Sequence, residues 1–163
     1  MSRSAILLSI RPQYAEKIFN RSKTVELRRI RPKHLKKGTL VLLYVSSPIK
    51  SLVGAFKVER VVEMPLDELW QLVRSKAGVT CEEFEAYYGG VNRGVGIFIS
   101  ETWRLSEPIE LEDLREQILN FHPPQGFRYA TLEELVSPQL AELVEDAEIV
   151  LQNSFWDEKA EQI

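Results

Sequence analysis

A lysine, a glutamate and an arginine fall close together at Lys23, Glu26 and Arg28, inside the run Arg21-Ser22-Lys23-Thr24-Val25-Glu26-Leu27-Arg28. In a strand, alternation sends Val25 and Leu27 to one face and Glu26 and Arg28 to the other. Lys23 then stands at the strand mouth, and the trio can grip a polar guest by charge and by directed hydrogen bonds together. A lysine beside a second cation and screened from water also loses basicity, so it can activate a hydroxyl or a water against an amide, with Glu26 as its catalytic neighbour. The ordinary alternative is the solvated side of a half-buried sheet, where an exposed ion pair contributes under about 1 kcal/mol.

Recognition of a nucleic acid draws on more of the chain. Lys23, Arg28 and Arg29 offer phosphate contacts, and Arg11-Pro12 opens a helix whose N-terminal dipole favours an anion. Glu26 can accept from an exocyclic amine, as carboxylates do with cytosine. Tyr14, Tyr44, Tyr88, Phe127 and Tyr129 are candidate stacking faces, although most aromatic residues serve as core. Ser9, Ser46 and Ser47 complete the candidate binding set, the two latter in a loop after a buried strand. Other chemistries lack their residues. His34, His122 and the single Cys81 are too scattered for a metal, no Gly-x-Ser-x-Gly elbow occurs, and Gly94-Val95-Gly96 precedes a strand instead of following one. Neither a metal nor a cofactor is expected.

Charge is distributed unevenly. Residues 1–60 hold fourteen Lys/Arg and three Asp/Glu, a net of +11; the remainder holds seven and twenty-one, a net of −14. A basic half suggests a polyanion footprint, RNA first and DNA as the alternative, while the acidic half argues against indiscriminate binding. The 163 residues suit one domain with an appendage. No apolar run approaches a membrane span, and Ala5–Ile10 is short even for a signal peptide, so a cytoplasmic protein is expected; a lone cysteine fits that compartment.

The elements that must position these residues are legible as patterns. Ala5–Ile10 reads as a buried strand, Pro12 to Asn20 as a helix with Tyr14, Ala15, Ile18 and Phe19 on one face, and Lys23–Ile30 as the next strand. Arg31–Lys37 is a basic connection ended by Gly38. Thr39–Val45 is a strand buried on both faces, and Leu52–Val62 a long one that should bend near Gly54. Leu66, Leu69, Trp70 and Val73 follow helical spacing, and Thr80-Cys81-Glu82-Glu83 is a capping box for a short helix stopped by Gly89-Gly90. Val95–Trp103 reads as a strand, Leu111–Leu119 as a helix, Phe121–Tyr129 as a loop, and Ser137–Val150 as a long amphipathic helix introduced by a second capping box at Thr131. The sum is an α+β fold: a small, mostly antiparallel barrel with flanking helices over residues 1–105, and a C-terminal helical extension, 106–163, packed on the same domain.

The motif and its flanks resemble the ASCH domain of the PUA-like superfamily, whose signature is Gly-x-Lys-x-x-Glu-x-Arg. Lys23, Glu26 and Arg28 take the signature positions, and Arg21 stands where the family has glycine. The flanks Leu8-Ser9-Ile10-Arg11-Pro12 and Leu43-Tyr44-Val45-Ser46-Ser47-Pro48 are similar too. The resemblance implies a closed PUA-like barrel with a ligand cleft beside the first helix, and RNA or a modified nucleotide or nucleobase as partner, in a regulatory role. It also implies an enzymatic alternative, a hydrolase. Some ASCH proteins are ribonucleases, and certain small ones are amidohydrolases on acylated cytidine that use the motif lysine, a threonine and a distal glutamate. Here Glu26 occupies the threonine position, Thr24 lies two residues earlier, and Glu82, Glu83 and Glu85 lie in the region of the distal acid. A third reading is a protein-interaction module docking through the acidic half, its partner unspecified.

Overall fold

The computed structural model describes residues 4–118 and 120–131. Six strands and four helices follow one another there as β1 (Ser4–Ile10), α1 (Pro12–Phe19), β2 (Val25–Arg28), β3 (Leu40–Val45), β4 (Ser51–Pro65), α2 (Leu66–Val73), α3 (Cys81–Tyr87), β5 (Arg93–Glu110), α4 (Leu111–Gln117) and β6 (Phe127–Thr131). The strands form one sheet in the order β2-β5-β4-β3-β1-β6. Only the β1–β3 pair is parallel; the four other pairs are antiparallel. The class expected from the pattern, α+β with a mostly antiparallel sheet, is the class found.

The strands β1 and β3 are buried on both faces, which is why they read as near-continuous apolar runs. Ala5 and Leu7 of β1, with Leu42 and Tyr44 of β3, join a core beneath α4, while Ile6, Leu8 and Ile10, with Val41, Leu43 and Val45, join a second core under α1. A third core packs α2 and α3 on Val25, Leu27 and Phe98. Thr80 caps α3 with the full reciprocal box expected from sequence, its side chain accepting from Glu83 N–H while the Glu83 carboxylate accepts from Thr80 N–H.

Two expectations need correction. Among the described residues the sheet is not closed: β2 and β6 are its two edges, with no ladder between them. The outer edge of β2, a strand of four residues, carries no ladder, and one side-chain hydrogen bond ties it to β1. The Arg28 guanidinium donates to the Ser9 carbonyl of β1 over 2.9 Å. The second correction is β6. The segment read as a loop ends in a strand, Phe127–Thr131, which pairs with β1 from Ser4↔Thr131 to Leu8↔Phe127. The strand β5 also runs past Trp103 to Glu110, pairing with the whole of β4. The helix expected over Ser137–Val150 lies outside the described residues. No helix among the described residues is long and apolar enough to cross a membrane.

The bend foreseen near Gly54 is present, with the register slipping between Leu52 and Gly54 against β5 and between Leu43 and Tyr44 on β3. A Cβ at Gly54 would sit 2.1 Å from the Trp103 carbonyl oxygen and 2.9 Å from the Phe19 ring. Backbone cannot move aside as a flexible side chain can. Gly54→Ala is therefore expected to lower stability by about 3 kcal/mol, the upper end for an overpacked site, measured by urea unfolding against wild type.

Candidate functional site

Alternation along β2 does what the pattern implies. Val25 and Leu27 face the third core, and Glu26 and Arg28 face the opposite way onto a cavity of about 830 Å³. That volume lies within the range of ligand clefts, about 300–1,000 Å³. Its walls are the end of β1 with Ser9 and Arg11, α1 through Tyr14, the Lys23–Arg28 segment, the loop with Ser46, Ser47 and Lys50, the inner side of α3, and residues 123–125. Four cations (Arg11, Lys23, Arg28, Lys50) and two carboxylates (Glu26, Glu83) line it, so its field favours an anionic guest.

The three signature residues converge. Glu26 is 6 % exposed and Lys23 2 %. Glu26 Oε1 lies 3.2 Å from Arg28 Nη2, and Oε2 lies 3.5 Å from Lys23 Nζ. The second contact is electrostatic and not a directed hydrogen bond: Glu26 Oε2 has no hydrogen-bond partner, and neither has Arg28 Nε. Lys23 Nζ instead donates to the Ala77 carbonyl over 2.6 Å, and it stands 5.4 Å from the centre of the Tyr14 ring. Burial lowers the Lys23 pKa below the usual lysine value; Glu26 opposes the shift, and Arg28 and Lys17 add to it. One buried carboxylate thus holds two cations out of water, one through each oxygen.

The supports of this cluster lie far away in sequence. The loop after α2 offers two carbonyls, Ala77 to Lys23 and Gly78 to Lys17. The Tyr88 hydroxyl, buried at the end of α3, reaches the Arg28 and Val95 carbonyls and seats α3 against β2. Across the mouth, the Tyr14 hydroxyl donates to Glu83 Oε2 over 2.8 Å and ties α1 to α3. That hydrogen bond, followed by those from Thr80, holds the Glu83 carboxyl below its ordinary range, and burial with Glu83 raises the Tyr14 hydroxyl.

Of the nine charged and hydroxyl candidates, seven line the cavity: Lys23, Glu26, Arg28, Ser9, Arg11, Ser46 and Ser47. Of the stacking and distal-acid candidates Tyr14, Tyr44 and Glu83 line it, and Tyr88, Phe127, Tyr129, Glu82 and Glu85 do not. Thr24 and Arg29 also lie off the wall. Thr24 spends its backbone on Lys76 and Ile99 and does not reach the wall. Arg29 turns outward and donates to the Gly89 carbonyl at the foot of α3. Sequence reasoning missed Tyr87, Lys50 and residues 123–125, all of which line the cavity. Tyr87 is 40 % exposed on the rim; the pattern gave only its place at the end of a short helix. Burial raises its hydroxyl pKa, and Arg28 and Arg29 beside it oppose that shift. Among the described residues no group of three or more His, Cys, Asp or Glu gathers as metal ligands would.

A family model described as "Domain of unknown function (DUF365)" matches residues 4–126. A protein of Zymomonas mobilis named "ASCH domain-containing ribonuclease" is 27 % identical over 132 residues, covering 81 % of this chain and 88 % of that protein. The crystal structure of ASCH from Zymomonas mobilis superposes with a TM-score of 0.77 at 27 % identity, over 85 % of this chain and 94 % of that one. The large ribosomal subunit protein uL22 of Ureaplasma parvum is 28 % identical over 125 residues, which span 76 % of this chain and 38 % of that protein.

Two outcomes test the buried cluster. Glu26→Ala strands two cations in a dry wall and should cost about 3 kcal/mol or more, read from urea unfolding. Lys23 carries a lowered folded pKa against 10.5 unfolded. Between those two values the unfolded chain binds more protons, so stability should rise with pH across that alkaline window. In Lys23→Met the increment should vanish, as seen by comparing the two proteins' unfolding midpoints at about pH 8 and about pH 10.

Proposed function

The chain belongs to the DUF365 family and is an ASCH-domain protein, and from that premise we propose that it binds RNA through a base-bearing nucleotide held in the cleft between α1 and the open side of the sheet. The observation that carries this reading is the convergence of Lys23, Glu26 and Arg28 on the wall of a cavity of ligand-cleft size. A carboxylate beside a guanidinium sets an acceptor next to donors, which suits a nucleobase edge with an amine to give and a ring nitrogen or carbonyl to receive. Tyr14 and Tyr87 line the same cavity and supply faces for a base, and the surplus of cations suits its phosphate. The relative named as a ribonuclease supports RNA as the polymer concerned.

Cleavage of RNA at this cleft is the second reading. It is favoured by the lowered basicity of Lys23 beside the Glu26 carboxylate, which keeps a proton acceptor nearer to neutral pH than an ordinary lysine. The same relative's name favours it as well. The acylated-cytidine reading keeps Lys23 and Glu83 at the cleft but has Thr24 off its wall.

Fluorescence anisotropy with short labelled single-stranded RNA tests the first reading. Affinity should fall with rising salt, and Arg28→Ala should weaken it about tenfold or more, a charged contact in a dry site. Absence of binding at low salt to RNA and to free nucleotides would sink the reading. Incubating the same RNA and resolving fragments on a gel tests the second: products should form with wild type and disappear with Lys23→Ala, and cleavage that survives this change would remove Lys23 from the chemistry.

A further inference from the structure

The cleft has an exit that the nucleotide reading does not use. Directly after Arg28 the chain leaves the cavity wall as a connection, residues 29–39, that carries Arg29, Arg31, Lys33, His34, Lys36 and Lys37 and no acid. All six side chains are exposed. No Asp or Glu occurs in residues 27–58 of the sequence.

This connection is held in one shape. Leu35 is 1 % exposed in the core under α1 and anchors the middle of the loop. The Arg31 guanidinium donates to the Leu35 carbonyl over 2.9 Å, Gly38 N–H to the Val58 carbonyl over 2.8 Å, and Thr39 exchanges bonds with Lys36. At one end Arg29 donates to Gly89, two residues beyond the rim tyrosine Tyr87. Near its middle the Tyr129 hydroxyl of β6 donates to the Lys33 carbonyl, and the strand β6 continues from the 123–125 segment of the cavity wall. The loop is therefore tied to α3 and to β6, both of which border the cleft, with exposed Lys33 and Lys36 on it and Ile30, 73 % exposed, beside them. A backbone already held in one shape loses little freedom on meeting a polyanion, which distinguishes it from a floppy basic tail.

We infer that residues 29–36 form a phosphate track continuous with the cleft, so that the partner is a single strand of RNA with one base in the cavity and its neighbouring phosphates on Lys33, His34 and Lys36. The inference rests on the nucleotide reading above and extends it from a mononucleotide to a polymer. Single-strandedness follows from the cavity: a base seated beside Glu26 and Arg28 has left its stack, which a duplex does not allow without being opened.

The test uses three probes, a labelled single-stranded RNA of about ten nucleotides, within the usual footprint of single-strand binders, a cytidine monophosphate and anionic phospholipid vesicles. The wild-type protein should bind the strand about tenfold or more tighter than the mononucleotide at low salt. The double variant Lys33→Gln/Lys36→Gln should lose most of that difference, flatten the log–log salt slope by about 1.4, as two phosphate contacts on a single strand imply, and leave mononucleotide affinity unchanged. A variant that binds the strand like wild type while the mononucleotide still binds would overturn the track and leave the cleft reading standing. Loop-dependent binding of the strand that ignores Arg28→Ala, with no mononucleotide binding, would overturn the cleft reading and the continuity with it. Equal binding of duplex RNA, or loop-dependent capture by the vesicles without preference for the strand, would also overturn the proposal. Both substitutions are on exposed side chains, and an unchanged melting curve confirms that the variant is folded.

Discussion

A single carboxylate buried between two cations is the constraint around which the rest is arranged. Glu26, Lys23 and Arg28 are all withdrawn from water, and the desolvation of three charges is repaid only when geometry and extra hydrogen bonds are good. The fold supplies those bonds from remote places: the Ala77 carbonyl for Lys23, the Ser9 carbonyl for Arg28, and the capped, tyrosine-anchored α3 that keeps solvent off the wall. Hydrophobic residues of similar bulk would stabilise this position more simply. Retention of a charged cluster on a cavity wall fits a site tuned for a guest better than one tuned for stability alone.

The same cluster fastens β2 beyond its one ladder. The strand β1 already pairs with β3 and β6, so Arg28 reaches the Ser9 carbonyl as a single side-chain tie across the cavity wall. At the turn before β2, Arg21 adopts a φ of +68°, the left-handed conformation that glycine enters most easily. The family's glycine at this place has a geometric reason, and the departure here changes the residue without changing the turn.

Much of this was legible before any coordinates, because the signals were local. Period-two alternation placed Glu26 and Arg28 on one face, continuous apolar runs marked β1 and β3 as buried on both sides, and the Thr80–Glu83 box fixed the start of α3. What stayed hidden depends on long-range pairing. Phe127–Thr131 has five residues of weak alternation after Pro123-Pro124-Gln125-Gly126, and only β1, more than a hundred residues earlier, makes it a strand. Tyr87 and the 123–125 segment join the site through tertiary folding alone, and Arg29 leaves it because β2 ends one residue before. Barrel closure was an inference from kinship, and periodicity has no term for whether two edges meet.

The pairing of β6 with β1 bears on how the molecule is made. During synthesis β1 can pair on one side with β3 once that strand has been made, at Ile6↔Val41 and onward. Its other edge waits for Phe127–Thr131, so the apolar run Ala5–Leu8 presents unpaired amides until those residues follow. Nascent chains stalled before that point would offer a sticky template to one another, and a chaperone that shields strand edges would have its natural client window there.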